Sequence, residues 1–563
     1  MRIKNILLVI SFSLSLSLFA QHNEEVTIEG TYRPKVNKVD KILMQPETPK
    51  QSFEMPNTEV QVLDIEHRFP LELDKLSALS YSRKNAQNPE PVKNFLMAGF
   101  GSRISPVFLY KHNSKLTKNL GLGVGIKHYS SWLDIKDYGP SSFMNNAFDI
   151  GLTSNKFSNL QLGGNVYFLN DMVHYYGIKT SDIPVGFTLD QVRAQQVYNT
   201  IGAHFGLAST TTRNGEFVHD LDMDYHYLFG KVGDGKEHFG DMDYVIGYVD
   251  NWWGKKNHPQ KIGMATGVEY DHTEFLGKNE CNRLIFRMNP FFEMKDDFYR
   301  LHLGVRMDGV PSAKRMLSVH PDLKGSLFVL DNTLEFYAGL NGGRKLFTYS
   351  DMVKENPYVG PKLEMEVTTV KFGFEGGMRT NIMNTMDIHV GVRYRRTEND
   401  PFYIIGSQPV NGYVANNTFD VFYDESSVVS VLADVRWLAL DKVTVDAGVG
   451  YNKYKTAVLD HALYRPAFEG KLKVNYNPTD NLLVYSSFLF QNGRYARTQA
   501  PQLAGFSFKL KPVMDLGIGA DYRVKDGFTV FAKANNLLHQ KYQIYYNYPV
   551  MGIEFFAGVK LTF

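Results

Sequence analysis

From Met551 to Phe563 the chain reads MGIEFFAGVKLTF, and its side chains sort by parity. Ile553, Phe555, Ala557, Val559, Leu561 and Phe563 fall on one face of an extended strand, while Glu554, Phe556, Gly558, Lys560 and Thr562 fall on the other. A soluble domain seldom ends its frayed last residues on an apolar face closed by an aromatic, whereas the lipid-facing closing strand of a membrane barrel requires one. The same period recurs upstream. Leu120, Leu122, Val124 and Ile126 alternate with Gly121, Gly123, Gly125 and Lys127; Leu160, Leu162, Val166 and Phe168 oppose Gln161, Gly163, Asn165 and Tyr167. Val443 to Tyr451 and Met514 to Tyr522 repeat the pattern, with one apolar face and one small or polar face. From Asn94 onward such segments follow one another at roughly twenty-residue intervals, the spacing of barrel strands plus their connections.

A β-sandwich shows the same alternation, but its connections are not sorted by length. Here tight turns at Lys156–Ser158, Thr212–Gly215, Lys295–Asp297, Asp331–Asn332, Asn381–Asn384, Leu440–Asp441, Asn477–Asp480 and Lys525–Gly527 alternate with long connections. The long ones include Gly342–Lys362, Thr397–Ser426, Lys453–Ala467, Gln491–Ala504 and Asn535–Val550. Bacterial barrels alternate periplasmic turns and extracellular loops in this way. Strands starting near 94, 104, 118, 143, 159, 196, 216, 239, 260, 282, 298, 319, 333, 363, 385, 427, 442, 468, 481, 506, 528 and 552 make twenty-two, with Pro311–Phe328 the ambiguous stretch. An even count places both chain ends on the side of the tight turns, which is expected to be the periplasm of a Gram-negative bacterium. The expected fold is therefore all-β: a transmembrane antiparallel β-barrel of about 22 strands over 94–563, preceded by a short periplasmic arm.

Ahead of the barrel, Arg2 and Lys4 precede an apolar, serine-punctuated run from Ile6 to Phe19, so 1–20 reads as a signal peptide cut before Gln21. Residues 21–93 are polar and proline-dotted, an irregular arm. A formal net charge of +2 argues against nucleic acid as a partner. The single cysteine, Cys281, excludes an internal disulfide framework and a cysteine-rich zinc site. No nucleophile elbow, phosphate loop or HExxH is present, so the chain reads as non-enzymatic, with no cofactor.

Three segments carry a resemblance. ANNLLHQKY (Ala534–Tyr542) before a glycine-containing aromatic last strand resembles the penultimate-strand signature of TonB-dependent receptors. ENPYVGPKLE (Glu355–Glu364) resembles that family's Asn-Pro…Pro-Glu segment opening a mid-barrel strand, although Gly360, Pro361 and Lys362 stand where Pro-Glu is usual. YNPTDNLLVYSS (Tyr476–Ser487) resembles a turn-and-strand unit of these barrels. The resemblance implies a 22-stranded outer-membrane barrel made by the barrel-assembly machinery and surrounded by outer-membrane lipid. It also implies that EEVTIEGTYRP near the front, with Glu25, Val26, Thr27 and Ile28 at its centre, contacts TonB by strand addition. One departure stands out: the family carries a globular plug inside the barrel, and here only about seventy residues lie between cleavage site and first strand. Since ~16 to 18 strands already leave an aqueous channel, the lumen needs a filling. The arm, inward-folded loops, side chains, or a separate plug or lipoprotein partner could supply it.

Parity places Asp220, Asp222 and Asp224 with His226 on one inward face and Asp241 and Asp243 on the next, a lumenal acidic cluster. Hard cations favour several carboxylate oxygens, but a solvated lumen wall is the simpler reading. His389, Arg393, Arg395, Asp434, Arg436, Lys471 and Lys473 line other inward faces. Trp252 and Trp253 read as interfacial girdle residues. Tyr545, Tyr546 and Tyr548 lie in the last long connection, where exposed rings could stack on a sugar or peptide, and Phe563 is the barrel-closing signal. The expected function is solute transport across the outer membrane by a barrel whose lumen a partner fills. The alternative is a plugged, non-transporting structural or assembly platform.

Overall fold

The computed structural model describes residues 93–563 apart from 158, 184, 187–193, 211–213, 254–257, 276–278, 330–332, 361–362, 384, 407, 411–412 and 498–505. The signal peptide, the arm and the TonB-contact segment Glu25–Ile28 lie outside the described residues. What is described is a closed antiparallel barrel of 22 strands. The first strand, Asn94–Gly101, pairs with its neighbour Ser105–Thr117 and with the last strand, Glu554–Thr562, the latter in a register running from Phe95↔Thr562 to Gly101↔Phe556. Closure leaves no free sheet edge, the condition for a sheet to sit in lipid. At the seam, the Phe563 amide donates to the Asn94 carbonyl (3.1 Å) and the Phe563 carbonyl accepts from the Asn94 amide (2.9 Å), so the terminal aromatic is fixed to the start of the barrel.

Side chains alternate as the period-2 reading requires. Ile126, Phe148, Ile150, Leu152, Val166, Phe168, Ile201, Phe205, Val449, Tyr451, Ile518 and Phe555 are exposed large apolar groups on the outer wall. Their inward neighbours are mostly glycine, polar or charged, with Ala147, Leu169 and Phe556 the exceptions. The four tryptophans sit at strand ends: Trp132 next to a long connection, Trp252, Trp253 and Trp437 next to short turns. Strand-end positions are where amphipathic indoles settle in membrane barrels. No helix among the described residues is long and apolar enough to cross a membrane.

The strand starts expected at 143, 216, 260, 468 and 528 coincide with Phe143, Glu216, Gln260, Phe468 and Phe528. The ambiguous stretch holds Leu317–Val329. Pro321 is tolerated in it because pairing with the following strand begins only at Leu323, so the missing amide is not needed there. Three starts differ by four residues or more. The strands Met386–Ile405 and Phe419–Leu440 run on as a hairpin through what reads as the loop Thr397–Ser426, with Asp400↔Asp424 to Ile405↔Phe419 paired beyond a bulge. The strand expected at 506 begins at Val513, and the one expected at 363 begins at Val367, leaving Glu355–Glu364 in the connection before it.

The long connections all gather at one end, together with short ones such as 102–104 and 231–235, while the other end carries turns of nine residues or fewer. The shortest turns are tight for a reason visible in sequence: between Val513–Lys525 and Phe528–Asn535 only Asp526 and Gly527 remain, with Gly527 at φ +77°.

Candidate functional site: the lumen wall and its loop cap

The acidic cluster faces inward as parity requires, and neighbouring strands supply its counter-charges. Asp222 pairs across to Asp243, and Asp224 to Asp241, on adjacent strands. Left alone, these carboxylates would repel one another in a confined lumen. Arg287, two strands further on in Asn279–Lys295, resolves the repulsion. Its guanidinium donates to Asp241 (2.6 Å) and Asp243 (2.9 Å) and pairs with Glu269. His204 meets Asp222 at 2.8 Å and His226 meets Glu237 at 2.9 Å. The wall is thus an ion-paired ladder. Among the described residues, the one group of three side chains with metal-holding spacing lies elsewhere, at His258, Asp296 and Asp297 beside the short turns. Opposite the acidic sector, His389 contacts Asp434 (3.5 Å) and the Tyr337 hydroxyl (2.7 Å), Arg393 reaches Glu375 (4.0 Å) and Arg436 pairs with Asp446 (2.6 Å).

The top of the ladder has a second role. Arg283, buried, takes Asp271 in two hydrogen bonds (3.0 and 2.7 Å) and donates to the carbonyls of Phe347 (3.1 Å) and Glu366 (2.9 Å). These are the first and last residues of the connection 347–366. Glu269 accepts from the Leu346 amide and Glu237 from the Ser350 amide, each at 3.1 Å. Wall carboxylates and one arginine therefore fasten this connection inward. Within it, Thr348 and Asp351 form a reciprocal capping box that starts the helix Tyr349–Glu355, and Pro357 follows its C-cap, Asn356. The helix buries Tyr349, Met352 and Val353.

That helix is the centre of an aromatic core at the loop end. Lumen-facing Val173, Tyr198, Leu228 and Phe275 pack with it from one side of the barrel, and Tyr403, Ile405, Phe419 and Val421 from the extended hairpin on another. Ile135, Tyr138, Tyr176, Tyr545, Tyr548 and Met551 complete the cluster, which spans the mouth. The phenols carry the hydrogen bonds that a dry core of tyrosines needs. Tyr198 donates to the Pro357 carbonyl (3.1 Å), Tyr175 to Val359 (3.0 Å), Tyr545 to Glu355 (2.7 Å) and Tyr176 to Pro549 (3.1 Å); Tyr548 donates to Asn417. Tyr358 stacks on Tyr548 at 3.7 Å. Of the three tyrosines expected to offer faces to a ligand, Tyr545 and Tyr548 are sealed in this core, and Tyr546 is partly covered by Phe508 at 4.7 Å. The segment ENPYVGPKLE, expected to open a strand, supplies the Pro357, Tyr358 and Val359 contacts of the cap.

Two features of the cap were not singled out from sequence. Asn536, within ANNLLHQKY, is buried; its side-chain amide donates to the carbonyls of Gln540 (2.9 Å) and Met551 (2.8 Å), and its oxygen accepts from the Gln540 amide. It ties the last connection into a knot, a role that the Asn-Asn pair just past a strand end could have signalled. Asp420, on the extended hairpin, carries no such signal. Burial, reinforced by the Glu364 carboxylate, pushes its carboxyl up to about 6.

The wall and register define a large transmembrane barrel of the kind that forms TonB-dependent receptors. Among solved structures, the chain resembles the ferric-catecholate import receptor Fiu from E. coli K12 (TM-score 0.61, 9% identity, 84% of this chain and 82% of that one). It also resembles the siderophore receptor PirA from Acinetobacter baumannii (0.63, 12%, 84% and 80%). The ferripyoverdine receptor of the outer membrane of Pseudomonas aeruginosa matches to a similar degree (0.62, 11%, 84% and 72%). At these identities the likeness is one of fold. No protein-family model matches the chain, and no curated protein matches it in sequence.

Proposed function

We propose that this protein is an outer-membrane transport barrel of Gram-negative bacteria, related in build to TonB-dependent receptors, whose entrance is closed by its own folded loops. The observation that carries this reading is a polar, ion-paired lumen running beneath an aromatic cap bolted to the wall through Arg283, Glu237 and Glu269. A barrel kept only as a platform has no need of a hydrated, charge-lined interior. The fold neighbours are named as import and siderophore receptors, which favours uptake of a solute from outside. With the tight turns and both chain ends in the periplasm, the cap faces the medium. TonB contact through Glu25–Ile28, or a separate plug or lipoprotein seated from the periplasmic side, would close the other end and couple opening to energy.

Planar-bilayer recordings test this. The whole protein is expected to conduct rarely, and replacement of 349–364 by a Gly-Ser linker is expected to give large, stable pores. Barrels that stay silent after the cap is removed would overturn the transport reading. Deletion of Glu24–Pro34 separately tests TonB coupling, which loses its support if uptake is unchanged.

A further inference from the structure

Beside the aromatic core the cap carries a cavity that shares Ile135 and Tyr138 with that core and is otherwise lined by residues outside it. It has a volume of about 460 Å³ and lies where the connections 132–142, 175–194 and 536–553 meet. Each connection contributes a lysine to its lining: Lys136, Lys179 and Lys541. All three are exposed, and among the described residues none is held in an ion pair. The lining carboxylate is Asp137, so the pocket keeps a surplus of positive charge. Asp182 is nearby, its carboxylate accepting the Ser181 hydroxyl at 2.8 Å, and counting its charge the three lysines still outnumber the two carboxylates.

Three like charges gathered around one cavity repel one another, and a fold retains them there at a cost unless an anion offsets it. The walls that hold them are fixed. The Thr180 amide and hydroxyl both donate to the Asp137 carbonyl (2.9 and 3.1 Å), binding the first connection to the second. Tyr176 donates to the Pro549 carbonyl (3.1 Å), binding the second to the third. Tyr138, in the floor, packs edge-on against Tyr176 at 6.3 Å. A preformed concavity of this size matches a small molecule rather than a protein surface.

We propose that this pocket binds a phosphorylated or carboxylated saccharide-sized anion, with Lys136, Lys179 and Lys541 as the charge-recognising groups and Tyr138 as an apolar floor for the sugar ring. The site goes beyond the transport reading and stands whether or not the barrel conducts. Two sources share this chemistry: the phosphorylated headgroup of a glycolipid in the surrounding leaflet, and a free solute.

The test is calorimetric titration of the purified full-length protein with glucose 6-phosphate and, as a neutral control, glucose. The phosphate ester is expected to bind, more weakly as salt rises, and glucose is expected not to. The triple variant Lys136→Ala, Lys179→Ala, Lys541→Ala is expected to lose at least tenfold in affinity, and a control variant, Lys231→Ala with Lys314→Ala, to lose none. All three pocket side chains are exposed, so the triple variant should keep the compact electrophoretic migration of the folded barrel, which is checked first. Equal binding of glucose, or undiminished binding by the triple variant, would overturn the site. Repeating the titration in nanodiscs with and without lipid A separates the sources: competition by lipid A assigns the leaflet glycolipid, and its absence assigns the free solute.

Discussion

At the level of single residues, Arg287 and Asp420 show what a lumen and a cap ask of charge. Arg287 stands among three carboxylates, and none of the pairs is near in sequence, so no local pattern announces it. The acidic half of the cluster was legible because Asp220, Asp222 and Asp224 repeat at period 2 on one strand. Its neutralisation was not, because the partner sits two strands away around the wall. Asp420 has a testable consequence. Its carboxyl is pushed up to about 6 in the folded cap, so the folded state holds the proton more tightly than the unfolded chain. The stabilising, protonated form is fully present below about pH 4 and is lost as pH rises through about 6. Above that range the buried charge costs on the order of 2 kcal/mol. Asp420→Asn is therefore expected to be more heat-stable than the parent at pH 7 and equal to it at pH 4, as read from the temperature at which compact electrophoretic migration is lost. A variant less stable at both pH values would show that the carboxylate is instead a needed acceptor.

The helix Tyr349–Glu355 is the element on which the cap depends. Alone, seven residues do not hold a helix; here the capping box, the Glu237 acceptor at its first turn and the packing of Met352 together do so. Met352 is fully buried in the cluster. Met352→Asp places an unpaired charge there, at about 3 kcal/mol or more, which should release the connection while leaving the wall paired. Trypsin is then expected to cut after Lys354 several-fold faster than in the parent, with the heat-resistant barrel unchanged. If cleavage stays slow, the cap does not rest on this helix. The wall strands were readable from alternation alone, and the tightest turns from dipeptides such as Asp526-Gly527. The extended hairpin beyond Thr397 reads as loop in the sequence because Asp400–Ile405 and Phe419–Asp424 do not alternate cleanly: both faces are covered, one by the core around Tyr403 and Phe419 and another by Phe402, Leu459 and Leu463.

For the whole molecule, orientation follows from which end carries the turns. In a Cys281→Ser background, a membrane-impermeant maleimide added to intact cells is expected to label a cysteine placed at Lys541 and to spare one placed at Asp526. The reverse pattern would invert the barrel and put the cap in the periplasm.

Strand number, parity and the sorting of connections by length were determined by the sequence itself, because a membrane wall imposes its period on every strand independently of what that strand touches across the barrel. Within the regular part of each strand, inward and outward faces follow from counting, as at Lys127 and Lys560. The barrel-closing strand likewise declared itself at Phe555 to Phe563. What only the tertiary structure decided is how the loops meet: that Tyr545 and Tyr548 turn inward, that Arg283 clasps both ends of 347–366, and that three lysines from separate connections surround one cavity. Loop packing has no period, and its contacts join residues hundreds of positions apart, so the chemistry at the mouth emerges only once the wall has brought the strand ends into one ring.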